Sequence, residues 1–144
     1  MSGVDSGHSD FVDDDEVVYR RIPQEPPFHK PDEWLTTANF KLDRRKSEKG
    51  LSVYRKDFRS IEEVLSARDA KPNSFVMSAN VGEIRRLRNG KGDPLFLDVI
   101  AMDEGGANPG HAEIRGPTPE YLSAATSKAL RDLFAKAGAL NVGS

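Results

Sequence analysis

The sequence contains no cysteine, so it forms no disulfide bond and offers no thiolate as a metal ligand or a nucleophile. Its three histidines, His8, His29 and His111, stand far apart and follow no metal-ligand spacing. We therefore predict no metal site.

Long apolar runs are also missing. No stretch of about eighteen apolar residues is present, and the first residues are small and acidic, which predicts neither a membrane span nor a secretory signal. We therefore expect a cytoplasmic protein with no membrane partner. The formal net charge of −2 gives no general attraction for nucleic acid, so nucleic acid is not the expected partner and any site for it would have to be local.

The distribution of acidic residues and prolines divides the chain into a tail, a domain and a long loop within that domain. Residues 1–16 include Asp13, Asp14 and Asp15 in a row and few apolar side chains, a composition typical of a disordered acidic tail. Residues 17–140 have the length and apolar content of a single domain. Within it, the prolines at positions 23, 26, 27 and 31 predict a long irregular loop over about residues 23–49.

The apolar spacing within the domain predicts an α+β fold. Short strands and helices follow one another without regular alternation, so we expect a small mixed or antiparallel sheet with two short helices and a C-terminal helix packed on it. The apolar residues between 95 and 102 predict a central strand covered on both faces. Ser60 predicts a helix over about 61–69, and Thr118 with Pro119 predicts the start of the last helix.

Two predicted strands carry the first candidate residues. Tyr19, Arg20 and Arg21 lie on the first strand, where a guanidinium can donate two parallel hydrogen bonds to a phosphate or a carboxylate. Ser52 and Tyr54 lie on one face of a later strand, where a hydroxyl and a ring can together hold a flat ligand. Surface arginines on an edge strand and ordinary strand alternation explain the same patterns, so both interpretations stay open.

Three more polar residues are candidates. Glu62 and Glu63 follow Ser60 in the first turn of a predicted helix, where capping chemistry accounts for at least one of the two carboxylates. His111 follows a glycine-containing loop. Its imidazole could contact a ligand, carry a proton, or have a purely structural role.

Aromatic and basic side chains suggest two contact surfaces. Phe28, Trp34 and Phe40 place large apolar groups in the long loop, which predicts either packing over the domain or a surface for another protein. Positive charge is concentrated around the second predicted strand, where it could meet the phosphates of RNA or belong to a solvated loop. The basic residues are Arg44, Arg45, Lys46, Lys49, Arg55, Lys56 and Arg59.

The order of these motifs resembles that of small ADP-ribosyltransferase-like proteins, including RES-domain toxins. The likeness is carried by residues 18–22, 50–54 and 60–65, and residues 109–117 look like a terminal strand of distant relatives of that fold. The chain also resembles bacterial proteins that share the arginine strand and have no established activity.

The resemblance implies a split β-fold that grips NAD between its strands. It implies that Arg20 or Arg21 faces phosphate and that Ser52 or Tyr54 lies near the nicotinamide. The acidic candidate that it implies is Glu62 or Glu63.

We arrive at three functional expectations. The first is a non-catalytic binding or accessory module of a bacterial toxin-related or defence-related system, which acts through protein contacts of Phe28, Trp34 and Phe40. The second is an NAD-binding, ADP-ribosyltransferase-like enzyme, and the third is an RNA-binding module. For the enzyme, the catalytic candidates are Arg20, Ser52, Tyr54 and Glu62, and the ligand-binding candidates are Tyr19, Arg21, Glu63 and His111. Convergence of these residues on one concave pocket favours the enzyme.

Overall fold

The computed structural model describes residues 11–43, 48–67, 70–71, 73–103 and 106–140. Within these ranges, five strands form one antiparallel sheet in the order β3-β1-β2-β5-β4. The strands are β1 (Val17–Ile22), β2 (Leu51–Arg55), β3 (Phe75–Asn80), β4 (Asp98–Ala101) and β5 (His111–Arg115). The middle of the sheet is therefore β2, and its two edges are β3 and β4.

Three α-helices and one 3₁₀ helix accompany the sheet in the described part of the chain. They are the 3₁₀ helix Thr37–Phe40, α1 (Ile61–Leu65), α2 (Val81–Arg85) and α3 (Ala124–Ala137). The architecture confirms the predicted α+β fold with two short helices and a C-terminal helix. None of the described helices has the length and apolarity needed to cross a membrane.

The sheet packs differently on its two faces because side chains alternate along each strand. On one face, Val18 and Ile22 of β1 and Val53 of β2 join Leu130 and Phe134 of α3 in the main core. On the other face, a smaller cluster forms around Tyr19, Val64 and Val76, where α1 covers β1 and β3. Ser52 and Tyr54 of β2 and His111 of β5 lie on this second face.

The predicted central strand lies at the edge of the sheet. β4 begins only at Asp98 and pairs with β5, while Phe96 is 69% exposed and has a positive φ of 55°. A continuous apolar run indicates burial, but it carries no information about how many strands flank it. The expectation of a strand covered on both faces between 95 and 102 is therefore wrong.

The last helix begins later than predicted. Ser123 is its N-cap and accepts a hydrogen bond from the backbone N–H of Thr126. Glu120, expected in the first helical turn, has a φ of 63°, which a right-handed helix excludes. Helix α1 also ends at Leu65, before the predicted end at 69, and residues 68 and 69 lie outside the described part of the chain.

The second part of the predicted acidic tail packs against the domain. Val12 is 1% exposed, and the backbone oxygens of Asp14 and Glu16 accept hydrogen bonds from Gly82 and Val81 at the start of α2. The prediction that residues 11–16 belong to a disordered tail therefore needs correction, because backbone hydrogen bonds, one buried apolar side chain and ion pairs of Asp14 and Glu16 anchor this acidic segment. Residues 1–10, the rest of that tail, lie outside the described residues.

Candidate functional site

Strands β1 and β2 separate after two paired positions, Val18 with Arg55 and Tyr19 with Tyr54. The guanidinium of Arg20 spans the gap that opens beyond them. Its Nε donates to the carbonyl oxygen of Asn39 at 2.9 Å, and Nη1 donates to the carbonyl oxygen of Ser52 at 2.6 Å. Arg20 thus ties the 3₁₀ helix to β2 and keeps a cleft open between the two strands.

Arg20 has a structural task in this cleft. Three of its nitrogens donate to backbone carbonyl oxygens, since Nη2 also bonds to Asn39. Burial of the guanidinium lowers the pKa of Arg20 to about 10, which leaves the side chain charged at neutral pH. Its predicted catalytic role stays a prediction, whereas its role in shaping the cleft follows from the contacts.

Four candidate residues meet in the cleft, which has a volume of about 310 Å³. Arg20, Arg21, Ser52 and Tyr54 line it together with the half-buried Phe28. The other charged residues of its wall are Lys41, Asp43, Glu48 and Lys71. Four basic residues and two acidic ones therefore give the wall a formal charge of +2.

Arg21 and Tyr54 are fixed on opposite sides of the cleft by contacts with neighbouring elements. Nη1 of Arg21 donates to the carbonyl oxygen of Val64 at the end of α1, at 2.9 Å. The ring of Tyr54 lies 5.7 Å from the ring of His111, and the guanidinium carbon of Arg59 lies 5.7 Å above the Tyr54 ring. The guanidinium of Arg21 on β1 and the ring of Tyr54 on β2 thus line the same cleft.

Ser52 and His111 are hydrogen bonded across β2 and β5. The Nε2 atom of His111 lies 3.1 Å from Ser52 Oγ, and Nδ1 lies 3.1 Å from the carbonyl oxygen of Met102. Because a carbonyl oxygen only accepts, Nδ1 carries the proton. In the neutral ring, Nε2 is then the acceptor for the Ser52 hydroxyl.

The acidic candidates lie outside the cleft. Glu63 completes a capping box at the start of α1, since its Oε1 accepts from the Ser60 backbone N–H at 2.9 Å and its own N–H donates to Ser60 Oγ at 3.1 Å. The hydrogen bond from the Ser60 backbone is the main cause that lowers the pKa of Glu63. Glu62 is exposed on the same short helix. The structure thus brings neither carboxylate to Ser52 or Tyr54.

Tyr19 is a core residue on the sheet face covered by α1. Its side chain is 7% exposed and packs with Val64 and Val76. Burial raises the pKa of Tyr19, and the negative charges of Asp57 and Glu62 add to that effect. Its predicted place among the ligand contacts therefore needs correction, because its ring fills the space beneath α1.

The expected aromatic contact surface also needs correction. Phe40 is fully buried, and its ring centroid lies 5.2 Å from that of Phe134 in α3. Trp34 remains 40% exposed, with its ring 4.2 Å from Phe75. Phe40 lies in a loop sequence without helical or strand periodicity, so the sequence did not predict that its side chain points into the core.

Two residues of the basic segment have internal partners. Arg55 is 5% exposed and is bonded to Glu16. Arg59 donates from Nε to the carbonyl oxygen of Pro109 at 2.7 Å and from Nη2 to Asn108 at 2.8 Å. Positions 44–47, which hold Arg44, Arg45 and Lys46, lie outside the described residues.

Sequence reasoning missed the loop residues that build the cleft. Asn39 is 2% exposed, and its side-chain amide donates to the carbonyl oxygens of Phe28 and Thr36. Lys71, across the cleft, pairs with Glu25 at 3.0 Å. No spacing pattern in the sequence predicts a buried asparagine in an irregular loop. The roles of Asn39 and Lys71 are therefore seen only in the folded structure.

Among the described residues, no group of three or more histidine, aspartate or glutamate side chains is arranged to hold a metal ion. Comparisons of the chain with models of protein families, with curated proteins and with solved structures find no significant match. The resemblance to ADP-ribosyltransferase-like proteins therefore stays a prediction.

Proposed function

We propose that this chain binds a small anionic ligand with a flat ring, of the NAD or ADP-ribose type, in the cleft between β1 and β2. The observation that carries the proposal is the convergence of Arg21, Ser52 and Tyr54 on one cleft of about 310 Å³. That volume is at the lower end of the range for small-molecule sites. It suits one nucleotide unit of such a ligand, with the rest of the ligand outside the cleft.

The charges and the ring support this ligand class. Four basic side chains against two carboxylates attract an anion, and a guanidinium binds phosphate through parallel hydrogen bonds. Tyr54 supplies an aromatic wall on which a base or a nicotinamide ring packs. The pairing of β1 with β2 ends at Tyr19, and the resulting gap between the strands supports binding of a ligand there.

The test is a titration of the protein with NAD and then with ADP-ribose, followed by the backbone amide signals in NMR. We expect shifts at Arg21, Ser52, Tyr54 and their neighbours. Arg21→Gln should weaken binding by roughly 10-fold to 100-fold, because a hydrogen bond to a charged group contributes about 1.5 to 3 kcal/mol. Arg88→Gln, at an exposed arginine bonded to Gly92, is the matched control and should bind like the wild type.

Two results would remove this proposal. One is an absence of shifts at millimolar NAD and ADP-ribose. The other is a set of shifts centred away from the cleft that Arg21→Gln leaves unchanged. Thermal denaturation of each variant shows whether a loss of binding reflects the site or the stability of the fold.

A protein-binding accessory module is the second candidate function. A groove of about 710 Å³ runs along the edge strand β4, and it is lined by the exposed rings of Phe11 and Phe96. An extended peptide with apolar side chains at alternate positions fits such a site, because it can add a strand to a sheet edge. RNA binding has less support, since Arg55 is buried against Glu16 and Arg59 donates hydrogen bonds to Pro109 and Asn108 of the same chain.

Affinity capture with two variants tests the second candidate. Phe96→Ser removes the most exposed ring of the groove, and a specific partner should be lost with it. Leu140→Ser changes an exposed apolar residue outside the groove and should retain that partner. Equal capture by the wild type and Phe96→Ser would exclude this groove as the contact surface.

A further inference from the structure

We propose that Ser52 is a nucleophile activated by His111, and that this pair transfers the acyl group of a small ester. The two residues are distant in sequence and are brought together by the pairing of β2 with β5. Ser52 is exposed at the cleft, so a substrate can reach its hydroxyl. The cleft of about 310 Å³ that Ser52 lines has room for a small carboxylic ester.

The geometry is that of a nucleophile, its base and a group that orients the base. The 3.1 Å separation of Ser52 Oγ and His111 Nε2 is within the range for proton transfer to a general base. The Met102 carbonyl oxygen holds the Nδ1 proton at 3.1 Å and so keeps Nε2 free of a proton in the neutral ring. The backbone carbonyl thus orients the imidazole and fixes its tautomer, as the carboxylate of a Ser-His-Asp triad does, but it supplies no negative charge to stabilise the imidazolium.

The reaction balances without a cofactor. Ser52 Oγ forms a bond to the acyl carbon while its proton passes to His111 Nε2, and the ester C–O bond breaks as the alcohol leaves with that proton. Water then attacks the acyl carbon and gives a proton to His111. The acyl–Ser52 bond breaks, the carboxylic acid leaves, and the proton returns to Ser52 Oγ.

Reaction with phenylmethanesulfonyl fluoride tests the nucleophile directly. The Ser52 oxygen would form a bond to sulfur, fluoride would leave, and the serine proton would pass to His111. Because the chain has no cysteine, a single adduct seen by intact-protein mass spectrometry must lie on a hydroxyl or amine group. Peptide mapping then identifies the modified residue. We expect one adduct, on Ser52, and release of p-nitrophenol from p-nitrophenyl acetate.

Three variants test the roles of Ser52 as nucleophile and His111 as base. Ser52→Ala should abolish both reactions, and His111→Asn should slow them by at least about tenfold, because asparagine can still donate to Met102 but is no base. His29→Gln is the matched histidine control. His29 Nδ1 makes a similar contact with the Trp34 carbonyl oxygen at 3.0 Å, and its replacement should leave the rates unchanged.

The proposal fails if no adduct forms, if the adduct lies on another residue, or if folded His111→Asn reacts as fast as the wild type. Circular dichroism of each variant establishes that it is folded. The inference is independent of the proposed binding of an anionic ligand, since it needs neither NAD nor Arg21. Absence of NAD binding therefore does not contradict the acyl-transfer proposal, and absence of labelling at Ser52 does not contradict the NAD proposal.

Discussion

Glu16 and Arg55 form a two-point ion pair inside the domain. Nε of Arg55 donates to Glu16 Oε1 at 2.7 Å, and Nη2 donates to Oε2 at 2.8 Å. Their side chains are only 10% and 6% exposed, respectively. The pair joins the segment before β1 to the end of β2, so the region assigned by composition to a tail contributes a charge to the interior.

Glu16→Gln should lower the free energy of unfolding by roughly 3 kcal/mol, because it removes the buried negative charge that balances the Arg55 guanidinium. Glu25→Gln is the matched control. Glu25 pairs with Lys71 at the surface, with 43% and 59% of the two side chains exposed, so its loss should cost less than about 1 kcal/mol. Urea denaturation measures both, and equal costs would contradict a special role for the buried pair.

The same carboxylate should make stability depend on pH. Burial raises the pKa of Glu16, but the hydrogen bonds from Arg55 and the Asp13 backbone and the charges of Arg55 and Arg85 outweigh it, so the pKa lies below its usual value of 4.5. A lowered pKa in the folded state stabilises the fold above the unfolded-state pKa, and this contribution is lost as the pH falls through the folded-state pKa.

Unfolding free energies measured as the pH falls below 4.5 should therefore decline in the wild type and decline less in Glu16→Gln. Some decline should remain in the variant, because the capping hydrogen bonds also lower the pKa of Glu63. If the unfolding free energies of the two proteins decline equally as the pH falls, the pKa of Glu16 does not differ between the folded and unfolded states.

Arg20→Lys should cost about 2 to 4 kcal/mol of stability. A lysine ammonium cannot reproduce the fork that reaches the carbonyl oxygens of Asn39 and Ser52 together. Arg88→Lys, at an exposed arginine with one bond to the Gly92 carbonyl oxygen, should stay within about 0.5 kcal/mol of the wild type. Chemical denaturation distinguishes the two, and a stable Arg20→Lys protein that loses only ligand binding would assign Arg20 to the ligand instead.

Ser60→Ala should destabilise the protein by about 1 kcal/mol, since it removes the oxygen that accepts from Glu63 N–H at the start of α1. Glu62→Ala, at an exposed position of the same turn, should change stability by less than about 0.5 kcal/mol. Thermal or urea denaturation compares the two variants. A larger loss for Glu62→Ala would mean that this carboxylate has a partner of its own.

Local patterns predicted the parts of the molecule that local physics determines. The alternation of strand side chains placed Ser52 and Tyr54 on one face, and the spacing of Ser60 and Glu63 gave the capping box that the structure contains. The α+β class followed from the order of such elements. These features depend on residues at most a few positions apart.

Contacts between distant segments could not be predicted in this way. Ser52 and His111 are 59 residues apart, and Glu16 and Arg55 are 39 apart. Such pairs depend on which strands become neighbours and on their register, and neither is encoded in the period of a single strand. The edge position of β4 escaped prediction for the same reason.

The internal position of β1 has a consequence for synthesis of the chain. This first strand lies between β2 and β3, and all six of its residues pair with β3, which ends at Asn80. On the ribosome, β1 therefore emerges well before the strand that completes it. A nascent chain that stops before Phe75 leaves one hydrogen-bonding side of β1 unpaired, and Val18 and Ile22 also lack the cover that α3 gives them. An unpaired strand edge beside uncovered apolar side chains makes such a chain prone to aggregation.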